Sequence, residues 1–195
     1  PSSINWPIIQ GKSKTGLTVF WPDKGLDTGP ILLQKEFEIT KTDTLGSVYF
    51  GKLYPAGVEA MVEAVEMVKN GTAPKIEQDH SKATYEGWCR SSDVMIDWNN
   101  PGVEIYNLIR GSDPSPGANT LWNQKSIYLF STSFESSNHD KPPGTVTKIS
   151  DESFSLSVSG GIITIGRVKV DREAKIMAAD FVKSHKLKIG DRFGL

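Results

Sequence analysis

From Ile31 to Ile39 the later positions alternate, Phe37 and Ile39 on one side of the backbone and Glu36 and Glu38 on the other. A period of two predicts a strand with one buried and one solvated face. Upstream, Leu17-Thr18-Val19-Phe20-Trp21 is β-branched and aromatic and predicts another strand, ended by the turn residues Pro22-Asp23-Lys24-Gly25. Ile4 to Gly11 reads as the end of a helix closed by Gly11. After Ile39 the period lengthens. Thr42 or Thr44 is placed to cap a helix carrying Leu45, Val48, Tyr49 and Leu53, which Pro55 is expected to break. A second helix runs from about Ala56, where Val58, Met61, Val62, Val65 and Val68 recur at three-and-four spacing and predict a buried stripe. Glu59, Glu63, Glu66 and Lys69 would face water, and Gly71 would stop the helix.

A polar stretch over 73–86 reads as a linker, dividing the chain into units at 1–72 and 87–195. Beyond it, Asn100-Pro101 is expected to cap and start a short helix whose apolar side is Val103, Ile105, Tyr106, Leu108 and Ile109. Arg110 closes that helix as an exposed cation, favoured there by the helix dipole and open to an anion. Short strands follow at Ser126 to Ser131, Gly144 to Ile149, Phe154 to Val158 and Ile162 to Val170. Turns of Gly, Pro, Ser and Asn separate them, the pattern of a small antiparallel barrel. Gly160-Gly161 lies between two strands with no helix after it, so it reads as a hairpin turn and not as a phosphate loop. The fold class is therefore α/β: the second half of an open Rossmann-like sheet, then an open, OB-like antiparallel barrel.

Charge names no partner. With 22 basic and 23 acidic residues the chain lacks the excess of a nucleic-acid binder. The single Cys89 rules out an intramolecular disulfide and suits a reducing cytosol, and no secretory or membrane-spanning run is present. His80, His139 and His185 all sit in polar contexts and read as solvated loop residues. The pairs Asp79-His80 and His139-Asp140 are adjacent and lack metal-ligand spacing, so no metal is expected. Trp6, Trp88, Trp98 and Trp122 read as packing residues without basic interleaving.

Candidate chemistry gathers in Gly25-Leu26-Asp27-Thr28-Gly29, one carboxylate framed by two glycines just past a strand. Loops held by rigid strands are where functional residues concentrate, and the glycines would let the backbone approach a ligand or adopt φ > 0. Asp27 is the candidate catalytic residue. Gly25, Leu26, Thr28 and Gly29 are the candidate substrate-binding residues, with Trp21, whose strand leads toward the site.

The block from Gly25 to Leu33, together with Ser3-Ile4-Asn5-Trp6 and Ala83-Thr84-Tyr85-Glu86-Gly87, resembles the folate-dependent formyltransferase family, above all the hydrolase domain of 10-formyltetrahydrofolate dehydrogenase. Asn107 to Gly111 followed by Pro114-Ser115-Pro116-Gly117-Ala118 is similar to the family's helix-then-PPGA signature. Met177 to Phe181 and Lys188 to Phe193 are similar to its C-terminal close. The resemblance implies 10-formyltetrahydrofolate as formyl donor, no metal, and Asp27 as the family's catalytic aspartate. It also implies a catalytic Asn and His upstream of Pro1, so that the chain reads as the C-terminal part of a longer protein and as inactive alone. Hydrolase-type chemistry is favoured over a methionyl-tRNA or a sugar-amine acceptor; the even charge disfavours tRNA. A noncatalytic binding fragment is the alternative class, and cytoplasm the expected location. The tetrahedral intermediate of formyl transfer needs preorganised donors for its oxyanion and a base for the attacking group, a role open to a carboxylate.

Overall fold

A computed structural model describes residues 2–194. Helix α1 (Asn5–Ile9) leads into an antiparallel hairpin of β1 (Lys14–Phe20) and β2 (Ile31–Glu38), in which Lys14 faces Glu38 and Val19 faces Leu33. The alternation along β2 holds: Glu36 and Glu38 are exposed, Phe37 is half-buried and Ile39 buried.

Thr44 caps the next helix. Its hydroxyl accepts from the Ser47 N–H at 3.1 Å while the Ser47 hydroxyl accepts from the Thr44 N–H at 3.0 Å, a reciprocal capping box. Pro55 does not break this helix. Helix α2 (Leu45–Val48) passes through one π-helical turn (Tyr49–Leu53) into α3 (Tyr54–Lys69). The wide turn lets the Tyr54 N–H reach back to the Tyr49 carbonyl, and Pro55 then falls in the first turn of α3, where a missing N–H costs little.

The predicted buried stripe on α3 is also corrected. Val58, Met61, Val62, Val65 and Val68 are 45–62% exposed, and Ala60 and Ala64 are the buried positions. Two small residues one turn apart let the helix dock closely, and the valine stripe lies roughly 100° around the helix from them. Periodicity marks an apolar face; it does not say which neighbour covers it.

In the second half, α4 (Gly102–Gly111) packs on a six-stranded antiparallel sheet in the order β3 (Ala118–Trp122), β4 (Lys125–Ser136), β7 (Gly161–Val170), β6 (Phe154–Val158), β5 (Val146–Ile149), with the short β8 (Ile176–Met177) paired to β7. The sheet is open, because β3 and β5 end the order without pairing. Gly160 turns the β6–β7 hairpin at φ 77°, as its position between two strands requires. Pro101, not Asn100, occupies the cap of α4, and no side chain caps it; the Pro101 carbonyl accepts from Glu104 and Ile105 instead. Helix α5 (Ala178–His185) covers the sheet, with Phe154, Phe181, Phe193 and Trp122 in ring contact at centroid distances of 5.5–6.1 Å, Phe193 stacked on Phe154 and Trp122 and Phe181 meeting Trp122 edge-on.

Arg110 overturns its expected exposure. It is 5% exposed, donating from Nη1 to the carbonyls of Asp43 (2.8 Å) and Thr40 (3.2 Å) and from Nε to Asn107. The last turn of α4 faces the loop after β2, so the cation satisfies carbonyls of the first half and is unavailable to an anion. Burial lowers its pKa. Beside it, Asn5 Nδ2 donates to Gly111 O at 2.9 Å and Gly46 N to Asp113 O at 3.0 Å, and a Cβ on Gly111 would run into Ile9. These contacts seam the two halves. Asp43, 8% exposed, completes the knot: burial alone would raise its pKa, but hydrogen bonds from Lys52, the Thr40 N–H and Ser47 outweigh it and hold the carboxyl at about 2.

Candidate functional site

The Gly-framed loop is built around a residue that sequence reasoning passed over as turn chemistry. Asp23 Oδ1 accepts from the Gly25 N–H at 2.9 Å and from the Thr28 hydroxyl at 2.8 Å, an Asx turn extended across the loop. These two bonds, the hydroxyl first, hold the exposed Asp23 carboxyl below its usual range. The Asp-X-Gly spacing was the available signal.

The left-handed conformation falls where it was not expected. Gly25 and Gly29 do not adopt φ > 0; Asp27 does, at φ 54°. The glycines serve close approach within the chain instead. A Cβ on Gly29 would meet the Trp21 carbonyl oxygen, and one on Gly25 the Thr28 side chain. Trp21 N and Pro30 O close the loop at 2.9 Å, and the Trp21 indole donates to Pro74 O at 2.8 Å with the Lys75 ammonium 5.1 Å from its ring centroid. Thus Gly25, Thr28, Gly29 and Trp21 shape the loop, Leu26 is 75% exposed at its tip, and Asp27 reaches the neighbouring cavity.

That cavity measures about 910 Å³, within the range of small-molecule sites. Asp27 and Gln78 supply polar groups, Leu17, Thr18 and Phe20 of β1 form one wall, and Tyr49, Tyr54, Met61 and Val62 form another. The stripe expected in the core is therefore partly cavity wall. Gln78, inside the expected linker, had no local signal; its amide reaches a loop 51 residues earlier in the chain.

The histidines divide. His80 is exposed and near enough to Asp23 and Asp79 to help lower both carboxyls. His139 is not a solvated residue: it is half-buried, Nε2 lies 2.7 Å from the Gly161 carbonyl, and Nδ1 is buried without a partner. His185 is half-buried too, stacked on Phe181 at 4.5 Å, because the last turn of α5 lies on the aromatic core. Burial raises the Cys89 thiol to about 11, with Asp93 adding to the effect, which leaves it a poor nucleophile at neutral pH. Among the described residues no group of three or more His, Cys, Asp or Glu side chains is placed to hold a metal ion, and no helix is long and apolar enough to cross a membrane.

A mixed α/β unit with a loop aspartate beside an apolar cavity, followed by an open antiparallel sheet, defines a two-part α/β architecture. The chain belongs to the formyl transferase family. Residues 89–186 match the family described as "Formyl transferase, C-terminal domain" and residues 2–65 the one described as "Formyl transferase". It is similar to cytosolic 10-formyltetrahydrofolate dehydrogenase of Xenopus laevis, 40% identical over 166 residues that make up 85% of this chain and 18% of that protein. Methionyl-tRNA formyltransferase of Desulforamulus reducens is 31% identical over 192 residues, 98% of this chain and 60% of that one. The chain thus spans less than two thirds of these relatives. Among solved structures, HypX from Aquifex aeolicus in complex with tetrahydrofolic acid shares the fold at a TM-score of 0.77 and 21% identity, covering 98% of this chain and 34% of that one.

Proposed function

We propose that the chain carries the aspartate-bearing part of a site that releases the formyl group of 10-formyltetrahydrofolate to water in the cytoplasm, within a division of 1–72 for the catalytic part, 73–86 for the connection and 87–195 for the C-terminal domain. The observation that carries this reading is Asp27, fixed on a tight loop and lining a cavity of about 910 Å³. A site of that volume, apolar along α3 and polar at Asp27 and Gln78, fits a ligand with a planar ring system and polar edges.

In the proposed reaction a water oxygen attacks the formyl carbon and Asp27 takes the water's proton. The tetrahedral oxyanion then collapses, the bond from carbon to N10 breaks as N10 takes back the proton held by Asp27, and the formic acid formed leaves as formate after losing its own proton to solvent. The oxyanion needs preorganised donors, which the family resemblance gives as an Asn and a His. The resemblance to the hydrolase domain of 10-formyltetrahydrofolate dehydrogenase and the even charge of the chain favour water over an initiator tRNA acceptor, and a sugar amine is the remaining acceptor class.

Replacing Asp27 with Asn in the full-length protein keeps the shape of the loop and removes the base. Turnover of 10-formyltetrahydrofolate should fall by about 100-fold or more. Near-parent turnover would remove Asp27 from the chemistry. Formate release with water alone, compared with release in the presence of charged initiator tRNA, separates hydrolase from transferase.

A further inference from the structure

Asp27 occupies a backbone region that costs a non-glycine residue energy, and it does so on an exposed loop. Something must hold it there. Gln78 Nε2 donates to the carbonyl of Asp27 at 2.9 Å and to that of Gly29 at 2.7 Å. A carbonyl can only accept, so the amide must present its NH2 end to the loop, and each of its two hydrogens has one oxygen. Gln78 is itself anchored. Ile76, two residues before it, exchanges both backbone hydrogen bonds with Ile31 (2.7 and 3.0 Å), and Pro74 accepts from the Trp21 indole. Residues 74–78 therefore form a strap that crosses the ends of β1 and β2 and finishes with its side chain on the Asp27 loop. The strap lies between the two regions matched by the family, 2–65 and 89–186.

We propose that Gln78 is the positioning residue for Asp27. Resting on the formyl-transfer reading above, the inference is that the segment joining the two domains is part of the active site: it sets the direction of the carboxylate without touching the reacting atoms. Asp23 and the glycines fix the loop's outline, and Gln78 bonds the carbonyls of Asp27 and Gly29, so that its loss frees the Asp27–Thr28 and Gly29–Pro30 peptide planes on the C-terminal side of the aspartate. The side chain lines the same cavity as Asp27, so its removal also widens the space beside the carboxylate.

The test measures 10-formyltetrahydrofolate turnover by the full-length protein for Gln78→Met, which keeps length without donors, and for Gln78→Glu, which sets lone pairs against both carbonyls. Each is made alone and with Asp27→Asn, and thermal unfolding is followed in parallel. A displacement on the scale of an ångström costs on the order of 100-fold, so kcat should drop roughly 10- to 100-fold. KM should stay within about twofold and the loss should nearly vanish in the Asp27→Asn background, because groups acting as a unit are not additive. Gln78→Glu should lose at least as much as Gln78→Met. The positioning role is overturned if either variant loses as much kcat with Asn at position 27 as with Asp, if the loss tracks a fall in melting temperature, or if kcat is unchanged where Asp27→Asn alone abolishes turnover. Retained activity in Asp27→Asn overturns the catalytic reading itself, and the positioning role with it.

Discussion

The two halves of the chain solve burial in opposite ways. The sheet-built half gathers, among the described residues, 21 buried ones in one cluster around Phe154, Phe181, Ile163 and Ile165, and closes over them with α4 and α5. The first half buries only Ile8, Ile39, Val48 and Leu53 in its own cluster, while α3 carries five apolar side chains that nothing in the described residues covers. The half that carries the candidate chemistry has the thin core. Its order comes from polar work: Arg110 and Asn5 across the seam, the Asp43 knot, and the Asp23 and Gln78 bonds in the loop. Directional bonds position a side chain more finely than apolar contact, but each contributes only about 1 kcal/mol net.

The largest expected effect is in the sheet half. Phe154→Ala removes a fully buried ring that stacks on Phe193 and packs against Phe181, and should destabilise that half by about 4 kcal/mol in chemical denaturation. A loss under about 1 kcal/mol would mean that the cluster is not the unit described.

An intermediate effect appears on acidification of the first half. Asp43 has its folded pKa at about 2, below the ordinary aspartate value of 3.8. Its contribution is therefore fully present above pH 3.8 and is lost as the pH falls through the folded value, a change of about 2 kcal/mol. Hydrogen exchange of β1, β2 and α3 between pH 4 and pH 2 should report it, and Asp43→Asn should flatten the dependence there while leaving the sheet half unaffected. Unchanged acid sensitivity of the first half in that variant would erase the contrast.

The smallest effect is expected on the open face. Val62→Ser should change the stability of the described chain by no more than about 0.5 kcal/mol, since Val62 is 62% exposed. A cost near that of a core residue would show that the stripe is covered in solution.

What was legible in the sequence follows the same division. Phe154 to Val158 is found with the predicted limits, and the Gly160 hairpin stands where turn chemistry put it, because alternation and turn residues are local. The strand read from Ser126 runs five residues past Ser131, to Ser136, through a residue at φ 52°. The two-residue β8 offered too short a window to announce itself, and β3 opens on Ala118-Asn119, residues of low strand propensity. At the site, the Asp27 loop was legible from its glycines, but their reason was not. Gln78, Arg110 and the exposure of Val62 depend on partners far along the chain, and no local pattern encodes a hydrogen bond spanning 51 residues.

The π-helical turn at Tyr49–Leu53 behaves as a phase adjustment in a screw thread. A helix advances about 100° per residue, so one residue fewer in that turn would leave Thr44 and its cap in place and rotate everything from Tyr54 onward by that angle. Ala60 and Ala64 would leave their buried positions, bulkier side chains would be driven into the gap they fit, and Met61 and Val62 would swing off the cavity wall. The length of a single turn thus keeps time between the cap that starts the helix and the surface it presents beside Asp27.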